Sequence, residues 1–197
     1  MSPAARRGLI VFVAALIIIL GGFAVEQWRL SDDNAPGGIA VGGPFSLIDQ
    51  NGTPRRDSDF RGKLMLVYFG YTYCPDACPT TLLEITQAMD ILGASGDGVQ
   101  PIFISVDPQR DTVAQLKLYA SNFTPRLLAL TGAPNELLAV EQAYHVYVAK
   151  VPQSGNDDYL IDHTSIMYLM GRDGKYLAQF PTGLPPKTLA AGIQRFM

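Results

Sequence analysis

The chain holds two cysteines, Cys74 and Cys78, and two histidines, His145 and His163, and its chemistry starts with them. Both cysteines lie in YFGYTYCPDACPTTLLEI (residues 68–85), spaced C-x-x-x-C rather than the C-x-x-C of dithiol oxidoreductases. In a helical or near-helical turn this spacing puts both sulfurs on one face. A helix start also lowers a thiol's pKa, favouring thiolate, which is both the nucleophile and the metal ligand. Four readings stand at this point: two inert buried thiols, a structural disulfide, a reversible Cys74–Cys78 disulfide, or a metal clamp. Inert thiols fit poorly, because the pair flanks a strand-to-helix transition and Pro75 and Pro79 shape its loop. A permanent disulfide would close a very small loop for little gain in chain entropy. As a reversible bond it makes more chemical sense.

A metal clamp needs a third ligand. His145, in EQAYHVYV, falls late in an amphipathic helical pattern and reads as a surface or half-buried residue. His163 opens the strand-like run HTSIMYLM, at a strand end that can face the cysteine loop. Two thiolates and one imidazole make an S₂N set: soft thiolates select Cu(I), and imidazole suits both copper oxidation states. Zinc would take a fourth ligand. Asp107, ending the run PIFISVD, is an oxygen donor able to complete a tetragonal Cu(II) site. Arg110 and Asp111 in DPQRDT read as a turn and a helix cap rather than a catalytic dyad.

These residues need a scaffold, and the hydrophobic pattern supplies one. Residues 44–56 read as a hairpin turning at Asn51-Gly52. The apolar run 63–70 has the look of a strand buried on both faces, and helical spacing follows over 80–93. A second buried strand covers 101–107, and a helix with Asp111 as its N-cap covers 111–123. A third strand (127–132) precedes a helix over 134–146 with Pro134 in its first turn. The segment SGNDD (154–158) separates strand-like runs near 146–151 and 159–161, as in an inserted hairpin. Residues 163–170 and 175–180 form an antiparallel pair around Arg172-Asp173-Gly174, and 186–197 closes the chain as a helix. The sum is an α/β fold with a central mixed sheet flanked by helices. A cysteine pair after a central strand, at a helix start, is the thioredoxin-like arrangement.

With 197 residues, 48% of them hydrophobic, the chain suits one ordinary domain plus an appendage. A net charge of −3 without blocks of like charge gives no footing for nucleic acid. The appendage is the uncharged segment 8–25, GLIVFVAALIIILGGFAV, which as a helix would rise about 27 Å and cross a bilayer. Arg6 and Arg7 precede it, so residues 1–7 stay in the cytoplasm and the remainder is exported. The rival is a cleaved signal peptide with Gly22-Phe23-Ala24 as its small-x-small site. The simpler home is a bacterial inner membrane: a single-pass anchor, a flexible linker over 26–43 and a periplasmic domain over 44–197.

Four motifs, GYTYCPDACPTTL, SVDPQRDT, LTG and DHTSIMYLM, stand in an order and spacing that resemble the Sco/SenC family of copper-binding thioredoxin-like proteins. The resemblance runs from about Pro44 to the C-terminus. It implies a membrane-anchored copper metallochaperone for the dinuclear copper centre of cytochrome c oxidase. Copper, as Cu(I) and Cu(II), would be held by Cys74, Cys78 and His163, with Asp107 matching a family residue implicated in copper or redox behaviour. Implied partners are the oxidase's copper-binding subunit and other copper chaperones or thiol reductants. Many members carry His where this chain has Tyr73, so an accessory ligand there is absent. A thiol–disulfide reductase keeping the oxidase's copper-ligand cysteines reduced is the alternative. A peroxidase-like activity lacks a peroxide pocket motif with a resolving partner.

Overall fold

The computed structural model describes residues 40–153 and 159–197. The expected anchor, its rival cleavage site and most of the linker lie outside the described residues. Among the described residues no helix is long and apolar enough to cross a membrane.

The sheet is built outward from β3 (Leu64–Gly70), in which every residue is buried. Alternation along a strand sends successive side chains to opposite faces. Tyr68 accordingly meets Phe103 on one face (ring centroids 6.3 Å apart), while Phe69 meets Tyr144 and Tyr168 on the other (5.3 and 6.1 Å). A strand covered on both faces has no polar side to show, which is why its sequence reads as a continuous apolar run. It pairs in parallel with β4 (Val99–Ser105), which pairs in parallel with β5 (Leu128–Thr131). The hairpin β1 (Ser46–Asp49) and β2 (Pro54–Arg56) adds antiparallel to β5. Its turn runs through Gly52 at φ +79°, a conformation glycine adopts without steric cost.

On the other side of β3 lie β8 (Ile166–Met170) and β9 (Tyr176–Pro181), both antiparallel to their neighbours. The order is β2-β1-β5-β4-β3-β8-β9, a mixed seven-stranded sheet. Between β5 and β8 the chain forms a separate two-stranded ribbon, β6 (Val148–Pro152) and β7 (Tyr159–His163), paired Val148 to His163. Four helices complete the domain: α1 (Ala77–Leu92), α2 (Val113–Ala120), α3 (Pro134–Ala143) and α4 (Pro186–Gln194). Helices α1 and α4 pack on each other, α2 lies along β5 and α3 against β1.

Three expectations need correction. The N-cap of α2 is Thr112, whose hydroxyl accepts from the Gln115 N–H, because the Asp111 carboxylate is drawn inward to other donors. His145 is not in a helix: α3 ends at Ala143, and His145 follows in a left-handed conformation (φ +55°), its Nε2 3.0 Å from the Ala40 carbonyl. His163 ends β7 rather than opening β8, since Thr164 and Ser165 turn the chain between the two strands.

Topology decides where a site can form. Parallel strands β3 and β4 end at the same edge of the sheet, so the loops after Gly70 and Ser105 emerge side by side. The Val106 N–H donates to the Gly70 carbonyl there (2.8 Å). Strand β8 runs the other way and starts at that edge, which delivers residues 163–165 to the same place. A crevice outside the carboxyl ends of sheet strands is where α/β folds generally bind ligands.

Candidate metal centre

The sulfur arm is local. After β3 the chain turns, with the Cys74 N–H donating to the Tyr71 carbonyl (3.2 Å), and α1 begins at Ala77. The first N–H groups of a helix have no partner within it. Cys74 supplies one: its Sγ accepts from the Cys78 backbone N–H at 3.3 Å. Cys78, in the first turn of α1, is fully buried, whereas Cys74 is half-buried, and both are free thiols. Cys78 Sγ fits because Gly70 has no side chain; a Cβ there would stand 2.8 Å from that sulfur.

These contacts divide one charge unequally. The Cys78 thiol hydrogen-bonds to Cys74 and, with the His163 side chain and then the Cys78 and Asp76 backbone N–H groups adding to it, lowers the Cys74 thiol to about 4 against the opposition of burial. The same hydrogen bond, joined by burial, pushes the Cys78 thiol up. The pair therefore holds a single thiolate at neutral pH. It sits on the outer sulfur, over the positive end of α1.

The imidazole arm comes from far along the chain. His163 Nδ1 lies 3.1 Å from the Thr164 carbonyl, which can only accept, so Nδ1 carries the proton. Nε2 points at Cys78 Sγ, 3.5 Å away. The edges of Tyr68 and Tyr71 fix the ring plane, with centroids 6.2 and 6.1 Å from it. The Tyr68 hydroxyl also reaches Cys78 Sγ (3.8 Å), and the Tyr71 hydroxyl accepts from the Ile161 N–H (3.1 Å), docking β7 on the cysteine loop. An imidazole whose far nitrogen is tied to a carbonyl is the usual state of a metal-binding histidine.

Asp107 is placed differently from Cys74, Cys78 and His163. It is buried, and its oxygens accept from the Tyr159 hydroxyl (2.8 Å) and from Arg110 Nε. The Arg110 guanidinium lies over Tyr159 (3.8 Å to the ring centroid), Tyr73 (4.9 Å) and Tyr71 (5.6 Å), and its Nη1 donates to the Tyr159 carbonyl at 2.9 Å. Asp107 and Arg110 thus clasp the β6–β7 ribbon rather than form an isolated turn. Among the described residues no three His, Cys, Asp or Glu side chains form a finished cage. The two sulfurs and the imidazole stand in hydrogen-bond contact, with one proton still on Cys78.

Reading the sequence missed Tyr68, Gly70, Tyr71 and Thr72. Gly70 carried a signal, since a glycine inside a strand pattern marks a close approach of another group. The tyrosines carried none, because a ring in an apolar run reads as core.

The fold and site define a class: a thioredoxin-like α/β domain with a thiol pair after its central strand and an imidazole opposite. The chain belongs to the SCO1/SenC family, whose family model matches residues 33–197. It is 39% identical over 188 residues to a SCO2-like protein of Rickettsia prowazekii, covering 92% of this chain and 89% of that one. Among solved structures it is similar to Bradyrhizobium japonicum ScoI with copper bound, at 47% identity and TM-score 0.76, covering 80% of this chain and all of that one. BsSco, described as having a disulfide switch and as a member of the Sco family of cytochrome c oxidase assembly proteins, matches at 25% identity and TM-score 0.64 over 80% of this chain and 94% of its own.

Proposed function

We propose that the protein is a copper carrier for cytochrome c oxidase assembly, taking copper as cargo on Cys74 Sγ, Cys78 Sγ and His163 Nε2. One observation carries the reading: an imidazole from 85 residues away aims its Nε2 at the inner sulfur, at 3.5 Å. Dithiol exchange needs no imidazole ligand; a three-ligand copper site does. Copper on ScoI and oxidase assembly in the description of BsSco support the choice of cargo and recipient.

The donor set orders the loading. The half-exposed Cys74 thiolate is the first ligand available. Binding at Cys78 then releases its proton to solvent, and His163 Nε2 completes an S₂N set. Two thiolates suit Cu(I), and the imidazole extends the site to Cu(II). Asp107 would become an accessory oxygen donor only by giving up Tyr159 or Arg110. The copper-binding subunit of the oxidase is the recipient in this reading, and segment 8–25 tethers the domain to the bacterial inner membrane on its periplasmic side.

The second reading is a thiol–disulfide reductase acting on the oxidase's copper-ligand cysteines. Its support is the split sulfur pair, an outer thiolate backed by a protonated inner thiol, which can exchange with an external disulfide. His163→Ala separates the two. Copper titration of the reduced full-length chain is expected to show one copper per chain, abolished in Cys74→Ser and Cys78→Ser and unchanged in His145→Ala. His163→Ala should keep disulfide exchange while losing Cu(II) affinity more than Cu(I) affinity. Full Cu(II) binding in His163→Ala would overturn the three-ligand site.

A further inference from the structure

Asp111 takes no part in the reading above, yet its carboxylate is fully buried at the edge of the site. Taking a carboxylate out of water is costly unless donors replace the lost hydration. Here Oδ1 accepts from the Thr72 hydroxyl (2.6 Å), and Oδ2 accepts from the Ser105 hydroxyl (2.6 Å) and the Thr72 N–H (3.1 Å). The Asp111 N–H itself donates to the Asp107 carbonyl (2.9 Å). The side chain thus ties Thr72, two residues before Cys74, to the end of β4. Its neighbours Asp107 and Arg110 meanwhile hold the ribbon that carries His163. One short segment therefore has a hand on each arm of the site.

We propose that Asp111 is a positioning residue of the metal centre: acting through Thr72, it fixes the path of the loop that carries Cys74, and with it the separation of the sulfurs from His163. The proposal rests on the copper reading for one of its readouts and stands free of it for the other. An asparagine has the right shape, but its NH₂ would have to face a donor. One of the three hydrogen bonds would fail and the loop would shift.

The test uses the full-length reduced chain, copper as one probe and iodoacetamide as the other. Asp111→Asn and Thr72→Val are expected to weaken copper affinity by about tenfold to a hundredfold, as losing a partner behind a metal ligand typically does. They should also shift the sulfur-to-Cu(II) absorption band and change the rate of Cys74 alkylation. Thr72→Ser, which keeps the hydroxyl, should restore all three. Asp49→Asn removes an equally buried carboxylate on the β1–β2 hairpin and should cost stability with no change in any of them. Wild-type affinity, band and alkylation in both Asp111→Asn and Thr72→Val would overturn the proposal, as would equal effects from Asp49→Asn. If the parent chain takes no copper, the copper reading falls, and alkylation alone decides the role of Asp111. If Asp111→Asn does not fold, the Thr72→Val and Thr72→Ser pair decides it.

Discussion

A Cβ added at Gly70 would stand 2.8 Å from Cys78 Sγ and 2.8 Å from the Phe103 ring, closer than real side chains approach. Neither neighbour can retreat freely, since Cys78 and Phe103 are both fully buried. Gly70→Ala should therefore destabilise the domain by about 1–3 kcal/mol, the usual cost of overpacking, and weaken copper binding by moving the inner sulfur. Urea unfolding and copper titration check the two effects; a variant with wild-type values in both would show that the sulfur has room to move. The candidate ligands could be singled out because cysteine and histidine are scarce in this chain and their chemistry is specific. What surrounds them could not. Tyr68 and Tyr71 serve as walls of the imidazole slot, yet their spacing fits an ordinary buried strand and loop. Asp111 looked like a helix cap, since the competition between capping α2 and bonding Thr72 and Ser105 is settled by tertiary contacts that no local pattern contains.

The strands and helices followed their hydrophobic periods closely, and the deviations have physical causes. Helix α1 starts at Ala77, earlier than its apolar spacing announces, because its first turn is capped by a cysteine sulfur and not by a Ser, Thr, Asp or Asn side chain. Helix α3 stops at Ala143, ahead of His145, where the backbone turns left-handed. The β1–β2 hairpin was predicted from Asn51-Gly52, but the sequence did not reveal how the turn is braced. Asp49, fully buried, accepts from the N–H groups of Asn51 (2.8 Å) and Thr53 (2.9 Å) and from Arg55 Nε (2.9 Å). Burial pushes its carboxyl up, but these donors together outweigh burial and leave it below its ordinary value of 3.8. A folded-state pKa below the unfolded one means stability that is present above pH 3.8 and is lost as pH falls through the folded value. Asp49→Asn should cost about 1.5–3 kcal/mol at neutral pH, the range for hydrogen bonds to a charged group. That difference should shrink on acidification below about pH 4. Chemical denaturation of both proteins from pH 7 down to pH 3 tests this, and a gap independent of pH would rule out the ionised carboxylate as its source.

At the level of the whole molecule, the mixed sheet and the succession of elements along the chain were readable from the alternation of strands and helices, whereas the count of seven strands and their order in the sheet come from the structure. The separation of β6–β7 into its own ribbon was readable only as an insertion. Its docking depends on Tyr71, Asp107 and Arg110, each far from it in sequence. The segment 8–25 makes a further prediction at this scale. A reporter fused after Met197 should be active only outside the cytoplasm, and the full-length chain should resist carbonate extraction. Recovery of a soluble form beginning just after Ala24 would replace the tether with a cleaved signal. The ribbon has one more consequence. The two sulfurs meet across four residues, but the imidazole joins them across 85. Closing the longer span costs chain entropy that only a nearly complete fold repays. A partly folded chain can therefore bring its thiols together before the imidazole arrives, so the meeting of all three side chains marks a late stage of folding.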